Sequence, residues 1–248
     1  MAPNYSSLHE KLLGKISAGL AKSSSKKTRD FVRAFYALST VNDLEELSPA
    51  RAATIALACE TFAAARPKTG PKIYVARVVL EEDSRTVRRT QVMVLNDDMP
   101  FLVDSLTALF SSLGLTIHRV LHPTFSHWRD AKGGLAATGK ASKRESLIYV
   151  ELSPLPTTLS EAALAARIAH ALGHVRVAVE DWASMRERVL VMAEQFTMEK
   201  TGVVKADAAE IRDLLLWLAG NHFVFLGMAD YRTKGASLTP DARTALGI

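Results

Sequence analysis

One change of rhythm constrains this chain more than any other feature. Up to Pro67 the apolar residues recur at helical spacing, and beyond Pro71 they alternate or run in short β-branched blocks. The segment between them carries Pro67, Gly70 and Pro71, a break that neither a helix nor a strand crosses. A single switch of period predicts a helical unit followed by a mixed sheet-and-helix region, an α+β chain.

Before the break, Leu8, Leu12, Leu13, Ile16 and Leu20 mark a first helix. Phe31, Val32, Phe35 and Tyr36 lie on one side of a second, over Thr28–Leu38. A third opens at Ser48-Pro49. Serine caps free N–H groups there, and proline suits the first helical position because it has no N–H to satisfy. The helical unit is assigned residues 1–70.

After the break, Ile73–Leu80 and Thr90–Leu95 read as strands. Met99–Leu113 is an apolar helix with Pro100 in its first turn and Gly114 as its stop. Leu115–Phe125 is a strand, Arg129–Glu145 a polar loop and Ser146–Leu152 a strand. Thr158 and Glu161 have the spacing of a capping box that opens a helix reaching at least Leu172. From Thr90 the order is β-α-β-β-α, and a final strand would complete a ferredoxin-like βαββαβ unit. Val175, Val177 and Val179 alternate after Gly173, which sits where a helix C-cap belongs, so residues 174–181 are assigned to that strand. The competing reading is one long helix through Leu164, Ile168, Leu172 and Val175. The unit is assigned residues 71–181. A helical connector, 182–205, and an α/β module from 206 follow, with His222–Leu226 opening a new strand. That module is barely begun at Ile248, so the chain is expected to be a piece of a longer protein.

Several chemistries are missing. The chain has 13 glycines and no G-x-G, the spacing a dinucleotide site needs for its tight turn and close pyrophosphate approach. Gly134–Lys140 resembles the start of a P-loop, but Ala141 stands where Ser or Thr must hold Mg²⁺, and both flanks are polar. His118 and His122 on a strand lie ~13 Å apart. His170 and His174 share a helix face without an evident third ligand. No metal site is expected. Cys59 is the only cysteine, which excludes a disulfide framework and fits a reducing cytoplasm. A net charge of +5 is dispersed, and its one dense run, Lys22–Arg29, is serine-rich, so no nucleic-acid partner is expected. No apolar stretch is long enough to span a membrane. No catalytic residue is identified.

The run Asp98–Ile117, DMPFLVDSLTALFSSLGLTI, resembles the ACT-domain signature, with Asp98, Pro100, Leu102, Leu106, Leu109, Leu113, Gly114 and Ile117 in register. A wider resemblance covers nearly the whole chain. FVRAFYALSTVNDLEELSP, LNDDMPFLVDSL, GLTIHRVLHP, RESLIYVEL, VRVAVEDWASMR and HFVFLGMADY are similar to the N-terminal region of the large bacterial NAD-specific glutamate dehydrogenases. The resemblance implies a string of ACT-like and helical regulatory modules, the last begun here being ACT- or PAS-like. It implies an NAD-using catalytic domain far downstream as a partner, and assembly into a homo-oligomer, a tetramer. It further implies an amino-acid effector held by the loop before the ACT helix, here Asn96, Asp97, Asp98, Met99, Pro100 and Phe101. Many effector-binding ACT domains have glycine where this chain has Phe101. A ring there is expected to fill the space beside the helix N-terminus and to favour an assembly role. The rival reading is a free-standing ACT-type amino-acid sensor.

Overall fold

The computed structural model describes residues 5–21, 23–82, 85–130, 132–136, 143–196 and 205–248. It divides into two compact units, Met1–Ala171 and Leu172–Ile248.

The larger unit opens with four helices: α1 (Tyr5–Ala18), α2 (Lys26–Tyr36), α3 (Val41–Glu45) and α4 (Pro49–Ala63). Ser48 caps α4 by accepting from Arg51 N–H, with Pro49 in the first turn, as its sequence dictates. The short α3 has a full Thr40–Asp43 capping box and was not foreseen. Then come β1 (Lys72–Glu82), β2 (Arg85–Asp97), α5 (Leu102–Ser112), β3 (Ile117–Leu121), β4 (Thr124–Arg129), β5 (Leu135–Ala136) and β6 (Lys143–Leu152). The first part of α6 (Glu161–Gln195) completes the unit.

The sheet is antiparallel throughout, in the order β1-β2-β6-β4-β5, with β3 also paired to β6. Alternation sorts its side chains. Met93, Leu95, Leu147 and Tyr149 join one core with Leu13, Ile16, Phe35, Tyr36, Cys59 and Phe62 of the helices. Val92, Val94, Ile148 and Val150 point to the opposite face and are also buried. Leu102, Leu106 and Phe110 are the buried stripe of α5.

Several sequence expectations are corrected. Residues 174–181 form no strand; they lie within α6, which runs through Gly173. The buried stripe Leu164, Ile168, Leu172, Val175, Met185 and Val189 continues at helical spacing, and this outweighs the local cost of one glycine. The βαββαβ unit therefore lacks its last strand, and β1 covers the β2 edge instead. The cap of α6 is Ser160, whose Oγ accepts from Ala163 N–H, rather than the Thr158–Glu161 pair. The strand expected over Leu115–Phe125 is broken at His122-Pro123 into β3 and β4, since proline has no N–H for a ladder.

The smaller unit carries the rest of α6, α7 (Lys205–Trp217), a wider turn at Leu218–His222, and four short strands. These are β7 (Gly227–Met228), β8 (Tyr231–Lys234), β9 (Ser237–Pro240) and β10 (Leu246–Gly247), paired β7 with β10 and β8 with β9. Of the strand expected to open at His222–Leu226, only the Leu226 carbonyl is paired, accepting from Ile248 N–H at 2.9 Å, and the β7–β10 ladder itself runs from Gly227. Ala137–Lys140 of the P-loop-like run and Ala141 after it lie outside the described residues. No described helix is long and apolar enough to cross a membrane.

Candidate functional site

The candidate loop joins β2 to α5. Asn96 and Asp97 end β2, in register with Ser146 and Glu145 of β6, so successive side chains leave on opposite faces. Asn96 is buried and its amide donates to the Asp97 carbonyl at 3.2 Å. Asp97 accepts from Arg66 Nη1 at 2.7 Å. Asp98 is held twice: Ser146 Oγ donates to Oδ1 at 2.7 Å, and Arg144 Nε pairs with Oδ2 at 3.1 Å. His122 also faces this end. Desolvation lowers its pKa, and the negative charge of Asp98 works the other way.

Met99 is half-buried and Pro100 is exposed. Phe101 precedes α5 at φ 68°, ψ 6°, a left-handed conformation that disfavours any side chain. Helix α5 therefore begins at Leu102, later than Met99. Phe101 is 45% exposed. No side chain caps that terminus, which leaves its positive dipole end to whatever approaches. At the far end, Gly114 takes φ +69° and Leu115 N–H closes back on the Phe110 carbonyl, the stop that the sequence announces.

Beneath the loop lies a feature that no sequence motif marks. Glu145 and Glu151 project from the same face of β6 and are each 1% exposed. Glu145 binds Arg129 through both oxygens, at 2.7 and 2.6 Å, and Arg66 Nη1 at 3.1 Å. Arg129 also donates to the carbonyls of Ala63 and Gly133, and Arg66 to that of Gly70. The backbone N–H of Arg66 donates to the Gly133 carbonyl, and a Cβ on Gly133 would stand 1.8 Å from the Arg66 carbonyl oxygen. Only glycine fits that approach. At the other end of β6, Glu151 receives both bonds of Arg51 Nη2, at 2.8 and 2.9 Å, and the Tyr149 hydroxyl at 2.6 Å. Arg119 Nε stands 3.7 Å away. Each carboxylate thus ties the sheet to α4 or its exit, and the pairs are charge-assisted and largely dry. Burial raises the pKa of both Tyr36 and Tyr149. It also raises that of the Cys59 thiol, which packs 3.9 Å from Met93 Sδ, as an inert core cysteine does. The signal for the carboxylates was present in RESLIYVEL: two glutamates at even spacing share a face with Leu147 and Tyr149.

No group of three or more His, Cys, Asp or Glu among the described residues is arranged to hold a metal. His170 and His174 lie one turn apart on α6, without such a group.

The family follows from this frame and its sequence. Residues 31–168, from α2 to the first turns of α6, match the glutamate dehydrogenase ACT1 domain. The chain belongs to the NAD-specific glutamate dehydrogenase family. It is similar to the NAD-specific glutamate dehydrogenase of Pseudomonas aeruginosa, 31% identical over 188 residues, which cover 72% of this chain and 12% of that protein. The enzyme of the same description from Halomonas elongata is 28% identical over 236 residues, covering 92% of this chain and 14% of that protein. The chain therefore spans about an eighth of these relatives and corresponds to an N-terminal region of the family.

Proposed function

We propose that this chain is a non-catalytic assembly and regulatory region of an NAD-dependent glutamate dehydrogenase. The parent enzyme oxidises L-glutamate with NAD and water to 2-oxoglutarate, ammonia and NADH. NAD binds in a catalytic domain elsewhere in the polypeptide. The parent works in the cytoplasm as a homo-oligomer, and this region helps build the oligomer.

The observation that carries the assembly role is the state of the loop. The carboxylates of Asp97 and Asp98 are spent on Arg66, Ser146 and Arg144, so the loop is fixed to its own sheet. One observation favours a second reading, that of an amino-acid sensor: the N-terminus of α5 carries no side-chain cap hydrogen bond. A ligand carboxylate suits that position.

Thermal melts with each common amino acid separate the two. A ligand at a hundredfold excess over its dissociation constant adds about 2.7 kcal/mol, a shift of several degrees. The assembly reading expects a shift of no more than about one degree. A larger shift, lost on Asp98→Leu, makes the region a sensor. Calorimetry with NAD is expected to show no binding; micromolar affinity for NAD removes the non-catalytic reading altogether.

A further inference from the structure

We propose that the outer edge of β1 is an interface between two copies of this chain, in which the two β1 strands pair antiparallel across a two-fold axis and join their sheets into one. This inference rests on the assembly reading above and names the surface that carries it.

The two edges of the sheet are finished differently. β1 runs from Lys72 to Glu82 and pairs with β2 without a shift of register. Among the described residues, no strand pairs with its other edge. The opposite side of the sheet ends in β3 and β5. β3 has five residues, carries Arg119 and shifts register after Ile117; β5 has two residues. Short strands, bulges and charges are the usual means by which sheet edges avoid joining. Ile73–Leu80 has no proline, glycine or lysine and a single charge, Arg77. That charge is engaged over the face of the sheet: Nε donates to Glu161 at 2.9 Å and Nη2 to the Leu159 carbonyl at 3.1 Å.

Apolar side chains stand on both faces of this edge. Tyr74, 43% exposed, is in register with Met93, and its ring lies 6.5 Å from that of Phe62, on the side of the helices. Val79, 64% exposed, shares the other face with Ile73, Val75 and Arg77. Ile73, Val75, Val78 and Leu80 are half-buried. A strand that is apolar on both faces has the pattern of a sheet interior, not of an edge.

The occupant is a second copy because the strand is its own complement. A two-fold axis perpendicular to the sheet pairs only residues that lie on the same face. With Ala76 on the axis, Tyr74 meets the second copy's Val78, Ile73 meets its Val79, and Val75 meets the aliphatic stem of its Arg77. Tyr74 and Val79, the exposed apolar residues of β1, then each gain an apolar partner across the strands. An axis at Arg77 would set two guanidinium groups directly opposite each other, which is destabilising. An axis at Val75 would bring Pro71, which has no N–H, into the ladder opposite Val79. The same edge serves twice, so the pair is closed and leaves no open β1 to recruit a third copy.

Sedimentation of the 248-residue chain over a range of concentrations tests the proposal, with disulfide trapping as the second readout. The mass should climb from 27.0 kDa toward twice that value as concentration rises. Val79→Lys blunts the edge at an exposed position and should raise the dissociation constant by at least about tenfold, with the circular dichroism unchanged. Val79→Ile should keep the dimer. Cys59 is buried and can stay in place. Ala76→Cys, which faces its own copy, should give a disulfide-linked dimer under mild oxidation, and Val79→Cys, which faces Ile73, should give far less. A chain that stays at 27.0 kDa at millimolar concentration overturns the proposal. So does a dimer that Val79→Lys leaves intact and Ala76→Cys does not trap, although the assembly role would then stand on another surface. In the full-length gene product, slow exchange of the β1 amides that persists in its dissociated monomer would make the cover another part of the same chain, and overturns the proposal too. A full-length oligomer unchanged by removal of residues 1–248 would sink the assembly reading itself.

Discussion

The two units of this chain are built on opposite economies. In Met1–Ala171 the largest buried side chains, among them Tyr36, Phe35, Phe110, Tyr149 and Leu147, pack on both faces of one sheet. Even the carboxylates of Glu145 and Glu151 are drawn inside and matched with arginine. In Leu172–Ile248, outside the buried stripe of α6, many large apolar groups lie outside: Leu214, Trp217, Phe223, Leu226, Tyr231 and Leu238 are all more than half exposed. Its ion pairs, such as Arg212–Asp213, are open to water. The difference teaches where burial holds the chain together. The first unit keeps its large apolar groups and two of its carboxylates inside, and the second leaves much of its aromatic and aliphatic surface to solvent.

The sharpest test removes a buried charge. Glu145→Ala leaves Arg66 and Arg129 in a dry site without their shared carboxylate. It is expected to cost about 3–5 kcal/mol in urea melts. Arg212→Ala in the smaller unit should cost less than about 1 kcal/mol, because its partner is solvated. A loss below about 1 kcal/mol for Glu145→Ala would mean that water reaches the pair and the larger unit is not sealed.

Leucine deletions repeat the comparison without charge. Leu106, 2% exposed on α5, should cost about 2–5 kcal/mol on truncation to alanine. Leu214→Ala should stay within about 0.5 kcal/mol in the 248-residue chain. Calorimetry that ranks them the other way would reverse the assignment of core and surface.

Much of this contrast was legible in the sequence where it rests on local chemistry. Ser48-Pro49 starts α4 and Gly114 stops α5 because caps and left-handed stops are decided within a few residues. What failed were decisions taken at a distance. Gly173 and the alternating valines argue locally for a strand, yet the helical stripe carried across them prevails. That β1 covers the edge of β2 is a matter of pairing, invisible to periodicity. Glu145 finds Arg66 across 79 positions and Glu151 finds Arg51 across 100, and one sequence offers no way to match them. In the candidate loop, the position of Asp98 was readable. Its partners Ser146 and Arg144 come from β6, the neighbouring strand but distant in sequence, and were not.

High pH probes the sealed unit alone. Tyr36 and Tyr149 are raised above their ordinary value of 10.0, chiefly by burial, and Cys59 above 9.0 for the same reason. The unfolded chain sheds these protons near pH 9 to 10, whereas the folded chain keeps them. Above that range the folded state binds more protons, so stability falls as pH rises. The slope is about 1.4 kcal/mol per pH unit for each group that has ionised in the unfolded chain. Urea midpoints from pH 8 to 11 should show this decline, and Tyr149→Phe should make it shallower. A flat profile would mean the hydroxyls reach water in the folded state.

The smallest effect compares two strained residues, one in each unit. Phe101 at φ 68° and Asn221 at φ 66° are the only non-glycine residues with positive φ among those described. Asparagine tolerates that region because its short polar side chain can bond locally; phenylalanine gains nothing there, and its ring is half-exposed. Phe101→Ala and Phe101→Gly both remove the ring, so their difference isolates the backbone. Glycine is expected to be the more stable by about 1 kcal/mol, the cost of holding a Cβ in the left-handed region less the entropy glycine gives up. The change Asn221→Gly should bring less than Ala→Gly brings at position 101, since asparagine already meets the turn's demand. Paired urea melts read both differences. If Phe101→Ala and Phe101→Gly melt alike, position 101 is not left-handed in solution, and the late start of α5 needs another cause. If the order holds, the larger unit, whose other described positive-φ residues are all glycines, keeps one strained aromatic residue at the mouth of its candidate loop. The ring's contacts, and not the backbone's comfort, would then account for phenylalanine at that position.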